Sequence, residues 1–79
     1  MDMNKFYEKA RAVVRLLENY CLRIARAINV LGATLNYLQA DSYEMQNVTE
    51  QLMLQAMAEW GVVENAIKQI KKEISGKGE

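Results

Sequence analysis

Apolar side chains recur every three or four residues from Phe6 to Leu38 and again from Met45 to Ile74, with no proline in either run. That spacing is the signature of an α-helix with one apolar face. In the first run it passes through Phe6, Ala10, Val13, Leu17, Tyr20, Ile24, Ile28, Leu31, Leu35 and Leu38. In the second it passes through Met45, Val48, Leu52, Ala56, Trp60, Val63, Ile67, Ile70 and Ile74. No alternating run of comparable length points to a strand. The chain reads as all-α and as one helical domain over residues 1–79.

The single interruption lies at Gln39-Ala40-Asp41-Ser42. Asp41 with Glu44 forms a capping-box pattern, in which the side chains satisfy backbone amides that open a helix. Asn47 with Glu50 is a competing start. The spacing therefore predicts helix one over 4–39, a turn over 40–42, helix two over 43–75 and a frayed tail over 76–79. Asp2 or Asn4 can cap the first helix, and Gly76 can end the second in a left-handed turn. Gly32 and Gly61 each cost about 1 kcal/mol against alanine inside a helix. Neither stands beside a turn signal, so both helices are expected to be continuous; a kink at either would instead give a three-helix monomer.

Helices of about 35 residues are about 50 Å long and touch along one line. Placed at about 100° per residue, the stripe of helix one spans Tyr20, Val13, Phe6, Leu17 and Ile28 and continues through Cys21, Val14, Ala25 and Gly32, wider than one neighbour covers. In helix two, Met53, Met57 and Trp60 stand to one side of the main stripe. An antiparallel hairpin of this kind is expected to self-associate, as a homodimer forming a four-helix bundle or as a larger helical assembly. Cys21, Ala25, Gly32, Met53, Met57 and Trp60 are the candidate interface with a second copy or another protein. Small side chains at Cys21, Ala25 and Gly32 would let another backbone come close. On that reading Gly32 is a packing position, where leucine would overpack the contact.

Lys plus Arg and Asp plus Glu total 10 each, and the net charge is zero, yet the charge is unevenly placed. Residues 1–26 hold six basic and three acidic groups, residues 27–63 four acidic and no basic groups, and residues 64–79 four basic and three acidic groups. In a hairpin this gives a basic end at the termini and an acidic tip. Lys5, Lys9, Arg11, Arg15, Arg23 and Arg26 form a candidate basic face on helix one that could track phosphates.

There is no histidine, and Cys21 is the sole cysteine. Imidazole acid–base chemistry, disulfide scaffolds and the usual zinc clusters are thereby excluded. Cys21 has no base to activate it and reads as a small buried filler. No catalytic residue, cofactor or metal is expected. The start of the chain lacks the apolar core of a signal peptide, and the longest uncharged stretch, 27–40, is shorter than the ~20 residues a bilayer requires. A cytoplasmic protein without a membrane span is expected.

Leu35-Asn36-Tyr37-Leu38-Gln39-Ala40-Asp41 resembles the turn region of the Rop family of plasmid RNA-modulating proteins. The resemblance covers seven positions and implies a helical hairpin that pairs into a four-helix bundle. Carried along the alignment, the family's RNA-contact positions fall on Ala12, Asn19, Arg23, Ala27 and Thr34, and only Asn19 keeps the residue type. The resemblance thus implies an architecture but not the family's RNA binding. The function expected from the residues is a non-enzymatic protein-interaction module: an adaptor, an assembly subunit or an inhibitor docking on a larger protein. The alternative is a nucleic-acid-binding regulator acting through the basic face of helix one.

Overall fold

A computed structural model describes residues 3–39 and 42–78. Two α-helices, α1 (Met3–Leu38) and α2 (Tyr43–Gly78), lie antiparallel as a rod of 58 × 16 × 15 Å. Both run unbroken through their internal glycines, so the three-helix alternative is not adopted. The hairpin implied by the periodicity and by the Rop-like turn is the architecture seen.

The ends of the helices differ in detail from the sequence expectation. Asp41 lies outside the described residues; the observed cap of α2 is Ser42, whose Oγ accepts the Met45 amide at 3.3 Å while its carbonyl accepts the Gln46 amide at 3.0 Å. Glu44 stands in the first turn of α2, where an acid suits the helix dipole. Of the caps expected for helix one, Asp2 lies outside the described residues and Asn4 falls inside the first turn. Gly76 does not end α2: the helix continues to Gly78, and no described glycine has a positive φ. The tail expected to fray from 76 is therefore helical for a further turn. A left-handed terminator does occur, at Gln39 on α1. With φ of 43°, its amide donates to the Leu35 carbonyl at 3.2 Å, which satisfies one of the carbonyls that every helix end leaves open.

The helices meet along a seam with alternating spacings of four and three. On α1 it runs Ala10, Val14, Leu17, Cys21, Ile24, Ile28, Leu31, Leu35 and Leu38, all buried or half-buried. On α2 it runs Gln46, Thr49, Met53, Ala56, Trp60, Val63, Ile67, Ile70 and Ile74, all buried or half-buried but for Trp60, which is 38% exposed. Such a mean spacing of 3.5 keeps one row of each helix facing its neighbour over the whole rod. Val14, Ile24, Val63 and Ile67 form the buried core, with Leu17, Cys21, Ile28, Ala56 and Ile70 packed against it.

The first half of α2 departs from the apolar row read in the sequence. Met45, Val48 and Leu52 are exposed, and Thr49 is buried in their place. The reason is phase: stepping back from Ile67 and Val63 in fours and threes lands on Met53, Thr49 and Gln46, a position away from the more apolar row. Burying the Thr49 hydroxyl is tolerated because it donates to the Met45 carbonyl at 2.7 Å. Val13 and Tyr20 are likewise exposed, on the flank of the α1 seam.

Gly32 lies in the helix with nothing within 4 Å of where a Cβ would stand. Within a single hairpin the seam passes through the adjacent Leu31, so Gly32 stands clear of α2. Replacing Gly32 with alanine should raise the thermal midpoint, by the equivalent of about 1 kcal/mol, from helix propensity alone. Gln39→Gly should also raise it, by about 0.5–1 kcal/mol, by relieving the left-handed residue. Thermal unfolding of the two variants beside the parent checks both.

Candidate functional site

Two polar contacts define the two sides of the rod. On one side the Tyr20 hydroxyl donates to Oε1 of Glu59. On the other, Lys71 pairs with Glu18 at 3.5 Å, next to the Lys68–Glu64 pair at 3.4 Å within α2. Residues three, four or seven positions from these anchors share their side of the helix.

The Tyr20–Glu59 side is apolar over much of its length. From α1 it takes Val13, Leu16, Tyr20, Val30 and Tyr37, and from α2 Met45, Val48, Leu52 and Val62, all exposed. Leu16 is 68% exposed and Val62 69%, so neither is a core residue that leans outward. Arg23 and Glu59 are the charges near its middle, and neither joins an ion pair among the described residues. The Glu18–Lys71 side carries Arg11, Arg15, Glu64 and Lys68 as well, and its apolar content is confined to the half nearer the tip.

The candidate interface residues from the sequence are divided by this arrangement. Cys21 and Met53 sit half-buried in the seam itself. Ala25, Met57 and Trp60 come together with Ile28, Asn29 and Gly61 around a shallow groove of about 560 Å³ on the Glu18–Lys71 side. Cys21 and Ala25 meet Trp60 again in the neighbouring concavity. Gly32 follows Ala25 two turns on and lines neither. The more extensive apolar side was not singled out from the sequence. Its signal is present in Val13, Leu16 and Tyr20 at spacings of three and four, and in Met45, Val48 and Leu52, but the stripe that predicts the hairpin core takes in all of these except Leu16.

All six members of the candidate basic face are exposed. They are spread over about 160° of the helix at 3.6 residues per turn, so they do not form one stripe. Arg11 and Arg15 converge with Lys71 on a notch near the termini that Val14, Ile74 and Ser75 complete. Among the described residues there is no group of three or more metal-ligating side chains, and no helix is long and apolar enough to cross a membrane.

No protein-family model, curated protein or solved structure matches the chain.

The Tyr20–Glu59 contact has a titration signature. The hydrogen bond to Glu59, followed by the nearby carboxylate charge, raises the Tyr20 phenol above its ordinary 10.0. A group raised on folding stabilises the fold below its unfolded pKa and loses that contribution as pH rises through the folded one. Tyr20 should thus ionise above the ordinary tyrosine value, and Glu59→Gln should bring it back towards 10.0. Tyrosine NMR titration of the parent and the variant reads both.

Proposed function

We propose that the chain is a non-enzymatic helical interaction module that works as a self-associated hairpin and presents its remaining surface to another protein. One observation carries this reading. Fifteen large apolar side chains are exposed among the described residues, against four buried apolar ones. The solvent-accessible surface of 6385 Å² exceeds the roughly 4,900 Å² usual for a compact monomer of this mass. Large apolar side chains exposed side by side mark interaction sites on folded proteins. Trp60 and Met57 beside the groove supply the kind of anchor that interfaces favour. The absence of histidine from the sequence and the half-buried setting of Cys21 support the non-enzymatic reading. A lone free thiol accords with a cytoplasmic setting.

The convergence of Arg11, Arg15 and Lys71 supports a second reading, a regulator that grips nucleic-acid phosphates. Light scattering and salt-dependent binding separate the two. At micromolar concentration the first reading expects a mass at least twice 9.1 kDa; a monodisperse 9.1 kDa species would sink it. The second expects retention on RNA or DNA at low salt, falling steeply with salt and lost when Arg11, Arg15 and Arg26 become glutamine. No retention of the parent removes it.

A further inference from the structure

We infer that the Tyr20–Glu59 side of the rod is where a second copy of the chain docks, with the two tips at opposite ends of the pair. The inference rests on the self-association proposed above and adds the face and the orientation.

Three observations choose them. The first is area. The surface beyond that of a compact monomer is about 1,500 Å², whereas a stable interface takes about 800 Å² from each partner. One long side of the rod can supply that. The second is asymmetry. Val13, Leu16, Tyr20, Met45, Leu52 and Val62 make one side apolar along its length, whereas the opposite side carries the Glu18–Lys71 and Glu64–Lys68 pairs with Arg11 and Arg15 and is apolar only from Leu22, Trp60 and Met57 towards the tip. Docking on the charged side would strip water from those ions, a cost that ion pairing repays poorly.

The third is charge along the axis. Among the described residues the tip half of the hairpin bears Glu44, Glu50 and Glu59 with Arg23 and Arg26 near mid-rod, no basic group lies from 27 to the tip and back to 63, and the half at the termini is net basic. Copies aligned tip to tip would set acid against acid and base against base. Turned end for end, each acidic tip lies against the partner's basic end. Full overlap then puts the two-fold axis near mid-rod, at the level of Tyr20 and Glu59. There Glu59 has one phenol as partner and Arg23, one turn on from Tyr20, is without an ion pair, so the two copies bring opposite charges to the same region.

The test uses the full chain with Cys21→Ala as background, carrying one new cysteine at a time, with light scattering on each sample. Leu16→Cys and Leu22→Cys lie on opposite sides, and both positions are exposed on a single hairpin, at 68% and 57%. In the associated protein, alkylation at position 16 should be about tenfold slower than at position 22. Equal rates, or slower reaction at position 22, overturn the face. A nitroxide on Tyr43→Cys then reports the distance between tips. A separation greater than half of the 58 Å rod is expected, and a smaller one overturns the orientation. Light scattering keeps the failures distinct. A monomeric parent contradicts self-association and this inference with it, whereas an associated protein with equal rates contradicts the face alone.

Discussion

The contact between two straight helices is a line, and the rest of this structure follows from that limit. Each residue in the seam has one opposing helix to bury it, and only Val14, Ile24, Val63 and Ile67 become buried apolar residues. The radius of gyration, 17.8 Å, compares with about 11.6 Å for a compact domain of this length. A rod of these proportions cannot enclose a core of the size that makes a small domain independently stable. It has no disulfide or metal cluster among its described residues to make up the difference. What remains is the apolar surface on its flanks, and that surface is the candidate for function.

The phase of the seam decides which flank is apolar. The 3.5-residue row that runs through Val63 and Ile67 fixes Thr49 and Met53 as the inward positions of the first half of α2. Met45, Val48 and Leu52 then fall on the flank beside Val13 and Tyr20 of α1. Had α2 turned so as to bury that row, Thr49 would have been freed, but the Val63–Ile67 contacts would have been lost. The second set is the better packed, and Thr49 loses little because its hydroxyl is satisfied within its own turn. The same phase puts Glu18 and Lys71 together on the opposite flank, where the ion pair is half-exposed and contributes little to stability. One flank is thereby the more apolar, and the other carries the ion pairs.

Much of the fold was legible in the sequence because a helix announces itself locally. The spacing of Ala10, Leu17, Ile24 and Leu31, the lack of proline and the polar stretch at 39–42 were enough for two long helices and one turn. Details decided by few atoms were less so. Ser42 caps α2, a role Asp41 could have filled equally from sequence, and Gln39 takes the left-handed position usually given to glycine. The division of apolar residues between seam and flank was the least legible part. Periodicity identifies a stripe wider than the seam but not its centre line, since that depends on the partner helix. Tyr20 and Val13 thus belong to the stripe yet stand exposed, while the seam takes up Met53, a candidate for the partner surface, and Cys21, which reads both as buried filler and as interface.

The proposed self-association follows from the apolar surface that a single hairpin leaves wet. The most direct measurement is the thermal midpoint as a function of protein concentration, since an associated state gains stability by mass action and a monomer does not. Raising the concentration a hundredfold adds about 2.7 kcal/mol to a dimer, which for two chains of this length moves the midpoint by about 8 °C. An increase of that order is expected. A midpoint that stays constant across the range, with a reversible two-state transition, would contradict it.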